Sequence, residues 1–485
     1  MPNPFPPPTS PRDRTLKNRL GVLFIALIAI GFSVLPVLHA FTKPDSNKDY
    51  SRWWRVAMDV RSGASLVRPL GEQSFIYPPA SAVIFFAPLS YLGPQGMVIA
   101  LCLLNFAAHL CVILISVRYA TGSRSLNQHP LLYIIPVAVT LPFVWDTYYL
   151  GQPNLILLAA ILIAFRLLDR HRTRAAAIAG TLFAAVTVAK AFPATLIGFL
   201  IWRRYWLAAA SMIASTLALL LLVPAPIRGL SANAAETWTW VDRMLLSTSG
   251  DSLASQPGRA FRSGNQSMVS VIHRLTRDVE AAPLGETSLH VNLLTLTPRA
   301  AFIIFIILFA ALGLAFITAM PRRHLASLRS RALEYSILLI LVTIVSPKAG
   351  TYYFCWTLPA LTVLTAEVLR APHRSLRRRA LASGLLLAIL VMATALTQPF
   401  DIYLPQALGA TFWGSFILLL SLLAALHMLK HRPATTPHVA TPQVASSPVE
   451  APDAELGDLA PFLMSPVPAA PPHTTPTPVH TSPAS

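Results

Sequence analysis

Stretches of about 15 to 22 predominantly apolar residues recur from residue 20 to residue 429, and nothing else in the sequence limits the fold so tightly. About 20 helical residues cover the roughly 30 Å hydrocarbon core of a bilayer, and a backbone in lipid must satisfy its polar groups internally. The recurrence therefore implies an all-α polytopic membrane protein. Composition agrees: 54% of the residues are hydrophobic, 12% are charged, and the mean hydropathy is +0.57. The expected spans are residues 20–41, 95–117, 130–145, 154–168, 175–189, 192–202, 207–224, 299–319, 333–345, 354–369, 380–397 and 409–429, about 12 transmembrane helices with both termini on one side.

A formal charge of +18 could suggest a nucleic-acid partner, but the placement of the bases makes that unnecessary. Arginines and lysines crowd the connections on the side of the termini: Arg12 to Arg19, Arg118 and Arg124, Arg166 to Arg174, Arg203 and Arg204, Arg322 to Arg331, Arg370 to Arg379, and Lys430 with Arg432. Short connections on the other side carry Lys190 and Lys348. By the positive-inside rule the termini are cytoplasmic in a cell membrane, and the excess charge reports orientation.

Two long outer connections, about 42–94 and 225–298, hold most of the remaining charge and are where a site would be built. Within the first, "PPASAVIFFAPLSYLG" at 78–93 is too short to span and would reverse every later connection if it did. It reads as a re-entrant or juxtamembrane helix. Residues 1–19 read as a disordered cytoplasmic arm with no cleaved signal behind it, 20–430 as the transmembrane domain, and 431–485 as a disordered Pro-rich cytoplasmic tail. Cys102, Cys111 and Cys355 sit in apolar stretches with no paired spacing, as buried small hydrophobes do.

In the first outer connection, "PDSNKDYSRWWRVAMDV" places Tyr50, Trp53, Trp54 and Ala57 at i, i+3, i+4, i+7 spacing, with Arg52, Arg55 and Asp59 opposite. The pattern predicts a short amphipathic helix at the membrane surface, ended by Gly63, with the two tryptophans as interfacial anchors. Asp49 at its start is either a helix N-cap, a general base, or both. Further outer-side motifs are "YPP" at 77–79, "YYLGQPN" at 148–154, "AKAFP" at 189–193, "GNQS" at 264–267 and "SPKAGTYY" at 346–353. Each alone is ordinary turn chemistry. Lys190 is less ordinary, because it lies between two apolar segments with almost no loop, and an ionisable group at such a depth is a functional candidate.

Taken in order, "DYSRWWRVAMDV", "YPPASAVIFFAPLSYL", "GQPNLILL", "AGTLFAAVTVAKAFPATL", "GNQSMVSVIHRL" and "SPKAGTYY" resemble glycosyltransferase family 87 over about residues 20 to 430. The resemblance is to polytopic GT-C-type enzymes similar to polyprenyl-phosphate-mannose-dependent mannosyltransferases. It implies inverting transfer of a hexose from a lipid-phosphate donor to a lipid or glycan acceptor at the outer face, with Asp49 as base and Asp45 in reserve. Gln152 and Asn154 match the family's GQ-x-N element, Lys190 its Lys before Pro, and Asn265 with Gln266 its NQS element. Where family members commonly carry an aromatic-His or His-His pair, this chain has Tyr352 and Tyr353.

The chemistry asks for the same parts. Displacing a polyprenyl phosphate from an anomeric carbon needs a base for the acceptor hydroxyl and cations for the phosphate. Lys190, Lys348, Arg259 and Arg262 are the candidate cations, and Tyr77, Gln152, Asn154, Asn265, Gln266, Tyr352 and Tyr353 the other candidate binding residues. No DxD-like pair stands on the outer side, so no metal or other cofactor is expected, with room left for a loosely held divalent cation. The expected partners are membrane lipid, the sugar donor and the acceptor. The alternative is a lipid-linked-sugar flippase without transfer chemistry, for which the short segments around Lys190 speak and the absence of evident repeats speaks against.

Overall fold

The computed structural model describes residues 11–67, 75–123, 128–246, 261–284, 287–394, 396 and 402–431. The expected tail from 432 onward lies outside the described residues.

The described residues are helical almost throughout. Helices α1 (Pro11–Thr42), α2 (Lys48–Ser62), α3 (Gly93–Thr121), α4 (Leu131–Leu150), α5 (Asn154–Leu168) and α6 (Thr173–Ala189) form the first half. They are followed by α7 (Leu196–Trp202), α8 (Trp206–Leu217), α9 (Leu230–Val241) and α10 (Met268–Thr276), then a two-stranded antiparallel hairpin, β1 (Ala282–Leu284) with β2 (Thr287–Leu289). Helices α11 (Pro298–Ala319), α12 (Leu328–Val345), α13 (Leu358–Arg370), α14 (Leu376–Ala393) and α15 (Ala410–Lys430) complete it.

Each of the twelve expected spans meets a helix. Among the described residues, seven helical stretches are long and apolar enough to cross a membrane, by length and composition alone. The segments at Asn154–Leu168, Thr173–Ala189 and Phe192–Trp202 are shorter, and α12 and α14 open on arginine-rich first turns. The outward faces are apolar, as lipid requires: Leu23, Leu27, Ile30, Val34 and Leu38 of α1 are more than half exposed, while Ile25 and Ala29 are buried. Helices α6 and α8 approach closely because Gly180 has no side chain; a Cβ there would stand 2.3 Å from the Ala208 carbonyl oxygen. The protein is an all-α multi-pass membrane protein.

Three local expectations change. Helix α1 begins at Pro11, so residues 11–19 of the expected arm are helical, with proline in the first turn where its missing N–H costs nothing. Helix α2 does end at Gly63, in the left-handed conformation at φ +73°, but it does not lie against lipid. Its aromatic face is covered by protein: Trp53 is 1% exposed and stacks on Phe86 at 4.5 Å, and its indole N–H donates to the Gly151 carbonyl at 2.7 Å. Trp53 is thus a core residue, not an interfacial anchor, and Trp54 is half-buried. The covering segment is the expected juxtamembrane stretch. Residues 79–92 form irregular helix, with a π turn at Ala82–Phe86, that packs on α2 and turns into α3 at Gly93.

Several helix ends converge at one end of the bundle: the C-termini of α4, α6 and α12 and the N-terminus of α5, with the start of α2 and the 3-10 turn Thr351–Thr357 that leads into α13. The arginine-rich turns lie at the other ends of these helices, and α5, 15 residues long, separates the two by about 22 Å.

Candidate active site

The site is built on one sharp turn. Helix α4 stops at Gly151, whose φ of +77° suits glycine, and where a Cβ would sit 2.8 Å from the Tyr50 ring of α2. The Tyr50 hydroxyl donates to the Tyr148 carbonyl at 2.8 Å, and Asn105 of α3 donates to the Gln152 carbonyl at 3.2 Å. With the Trp53 bond to Gly151, these contacts clamp the backbone of 148–152 between α2 and α3, which aims the Gln152 side chain at the start of α2.

The start of α2 holds Asp49. Lys48 takes a left-handed backbone at φ 50°, and the N-cap position belongs to Asn47, whose buried side chain donates to the Pro36 carbonyl at 2.8 Å. Asp49 is therefore not the cap. No capping hydrogen bond forms, and its carboxylate turns to two other donors: Arg52, at 3.0 Å on Oδ1, and the Gln152 side-chain amide on Oδ2. The Asp49 side chain is 20% exposed, so it stands at the rim.

Behind Gln152 lies Lys190, 2% exposed, in the turn between α6 and the Phe192–Thr195 3-10 turn. Its Nζ donates to Gln152 Oε1 and to Asn154 Oδ1, both at 2.7 Å. Burial pushes this ammonium down to about 7, and the Asp49 charge opposes that. The Tyr77, Tyr352 and Tyr353 rings surround it, with centroids 5.3, 5.1 and 4.5 Å from Nζ. Tyr77 also donates to Gln152 Oε1 at 3.4 Å, and Asn154 donates onward to the Tyr352 carbonyl at 3.0 Å. Tyr352 and Tyr353 thus give the lysine two of its aromatic faces.

Lys348, exposed on the turn after α12, completes the rim. Although its side chain reaches solvent, the protein packed around it partly desolvates the ammonium and lowers it, the Asp49 carboxylate opposing and the Arg52 charge adding to the shift. That turn is held from behind by the NQS element. Asn265 Oδ1 accepts from the Ala349 N–H at 2.9 Å, Asn265 Nδ2 donates to the Pro347 carbonyl at 3.1 Å, and the Ser267 hydroxyl donates to the same carbonyl at 3.2 Å. Gln266 donates through its side chain to the Gln406 carbonyl at 2.7 Å and through its backbone to the Ala349 carbonyl, also at 2.7 Å. Asn265 and Gln266 are buried, and these side-chain bonds go to backbone, so they shape the loop that carries Lys348.

The remaining expected residues fall elsewhere. Asp45 is exposed on the Pro44–Ser46 turn. Arg262 pairs with Glu280 at 3.0 Å. Arg259 lies outside the described residues.

Two features escaped the sequence reasoning. Asp146, in "VWDTYYLGQPN", accepts from the Thr351 hydroxyl and tethers α4 to the 3-10 turn bearing Tyr352 and Tyr353. The depth rule that singled out Lys190 applies equally to this acid inside an apolar stretch. Arg274, wholly buried, donates to the carbonyls of Ala407, Asn265, Arg262, Phe261 and Gln406 at 2.7 to 3.3 Å, joining the NQS segment to the residues before α15.

The geometry defines a multi-pass membrane protein with a charged, partly open polar cluster at one end of its helices. Residues 75–347 of the 485 match the model of glycosyltransferase family 87, and the chain belongs to that family. It is a membrane glycosyltransferase with the all-α architecture that the motif order implied. The match takes in Tyr77, Gln152, Asn154, Lys190, Asn265 and Gln266, with Asp49, Lys348, Tyr352 and Tyr353 outside it. Among solved structures, the crystal structure of ArnT from Cupriavidus metallidurans bound to undecaprenyl phosphate is similar at 12% identity, over 84% of this chain and 77% of that one, with a TM-score of 0.33. No curated protein matches the chain.

Proposed function

We propose that the protein moves a hexose, mannose first among the candidates, from a polyprenyl-phosphate donor to a lipid or glycan acceptor at the outer face of the cytoplasmic membrane, with inversion at the anomeric carbon. The observation that carries this reading is the Asp49 carboxylate, gripped on one oxygen by Arg52 and on the other by Gln152, at the rim of a cluster built from the family's own motifs. The outer location is supported by the arginine-rich turns at the opposite helix ends, which the positive-inside rule assigns to the cytoplasm.

In this mechanism Asp49 accepts the proton of the acceptor hydroxyl as that oxygen attacks the anomeric carbon. The bond from that carbon to the phosphate oxygen breaks on the far side, and its electron pair leaves with the polyprenyl phosphate. Lys348 and Arg52, both exposed beside Asp49, take the charge that develops on the phosphate. The geometry of attack opposite the leaving group gives inversion.

The test supplies purified protein in lipid with radiolabelled polyprenyl-phosphate hexoses and membrane lipid acceptors, with Asp49→Asn alongside. New glycosidic product from the wild type and its loss in Asp49→Asn is the expected result. Translocation of the donor without any new glycosidic bond would support the flippase instead.

A further inference from the structure

We propose that Lys190 acts as a positioning residue and not as a phosphate ligand: its buried ammonium locks the side-chain amides of Gln152 and Asn154 in one orientation, and through Gln152 it holds Asp49 toward the mouth of the site. The proposal rests on the reading of Asp49 as the base.

The argument is one of donors and acceptors. An ammonium can only donate, whereas an amide presents an acceptor on one side and a donor on the other. With Nζ 2.7 Å from both Gln152 and Asn154, each amide must turn its oxygen to Lys190 and its nitrogen away. The two nitrogens then point in different directions, Gln152 Nε2 to Asp49 Oδ2 and Asn154 Nδ2 to the Tyr352 carbonyl.

A flipped Gln152 would set its NH2 against the ammonium and its oxygen against the carboxylate. The Tyr77 hydroxyl at 3.4 Å does not prevent a flip, because a hydroxyl donates or accepts as required. Backbone contacts to Gly151 and Gln152 fix where the side chain starts but not which way its amide faces. The ammonium is the donor-only group in the set, opposite the acceptor-only Asp49 carboxylate and Tyr352 carbonyl, and it is the group that both amides share. Its position also fits support better than substrate contact: it is 2% exposed, behind Gln152 and among three tyrosine rings, while Lys348 and Arg52 are the cations at the rim.

The experiment compares Lys190→Met, Gln152→Leu and the double variant as full-length protein in nanodiscs, with polyprenyl-phosphate mannose as the donor probe and a membrane lipid extract as acceptor. Support is a drop in kcat of about 10- to 100-fold in each single variant, part of what a general base contributes. The donor KM should stay within about threefold, and the double variant should be no worse than either single one. A tenfold or greater rise in donor KM for Lys190→Met at unchanged kcat would make Lys190 a phosphate ligand and overturn the proposal.

If the wild type transfers no hexose, the functional reading fails by itself, and thermal melting of the same four proteins still decides the contact. Non-additive melting shifts for Lys190→Met and Gln152→Leu keep the lock. Additive shifts remove it.

Discussion

The two ends of the helix bundle treat their charges in opposite ways. At the arginine-rich end every prominent acid is matched. Glu367, fully buried, accepts from Arg329 at 2.6 Å, Arg377 at 2.9 Å and Arg370 at 3.2 Å. Glu334 faces Arg203, and Asp169 accepts from Arg331, Tyr335 and Tyr119 at 2.8 to 3.1 Å. At the other end the buried Lys190 donates to the amides of Gln152 and Asn154, and the carboxylate nearest its chain of contacts stands at the rim. Matched, enclosed charges are what a fold needs to register helices. A buried cation answered by amides and tyrosine rings, with an acid left half-open, is what a site for a charged substrate needs.

The sharpest way to break that division is at the matched end. Glu367→Gln leaves three arginines without their shared acid and should cost about 3 to 5 kcal/mol, read as a large drop in melting temperature and in folded yield. The folded fraction should turn over like the wild type; a normal melt with lost turnover would erase the distinction.

Next in size is a pH effect in the scaffold behind the site. Burial, and then the Arg277 charge, push His273 down to about 4, and its ring stacks on Phe261 at 4.8 Å. An unfolded histidine titrates near 6.5, so as pH falls the unfolded chain takes up the proton first. Stability is undisturbed above pH 6.5 and declines from there to pH 4, by roughly 3 kcal/mol in all. Melting curves across that window should show the slope in the wild type and a shallower one in His273→Gln.

Smaller still, Lys348→Ala should raise the donor KM about tenfold, roughly 1.4 kcal/mol, with little change in melting, since the side chain is exposed. Smallest is Arg262→Ala. A partly exposed pair such as Arg262–Glu280 contributes about 0 to 1 kcal/mol, so neither turnover nor melting should move measurably, and a tenfold loss of turnover would return Arg262 to the site.

These contrasts also explain what was legible in the sequence. Helices were readable because apolar length and the 3.6-residue period are local, and Asp49, Gln152, Asn154 and Lys190 were readable as motif residues. What they do to one another was not. Gln152 reaches Asp49 across 103 residues and Thr351 reaches Asp146 across 205, and no periodicity encodes such pairings. The cap assignment for Asp49 failed for a related reason: its position in the first turn fits the rule, but Asn47 precedes it and a distant amide binds its carboxylate better than the helix does. The face of α2 was right in pattern and wrong in partner, because a stripe of tryptophan does not say whether lipid or the stretch at 79–92 covers it. Asn265 and Gln266 carried the family's motif, yet their geometry is that of a brace for the loop holding Lys348.

The most direct measurement is made on one Asp49→Asn preparation, assayed for hexose transfer from a polyprenyl-phosphate donor and melted beside the wild type. The account expects kcat to fall by about two to four orders of magnitude, the contribution of a general base, with the melting temperature nearly unchanged because the lost ion pair to Arg52 is exposed. Full turnover in Asp49→Asn would contradict it.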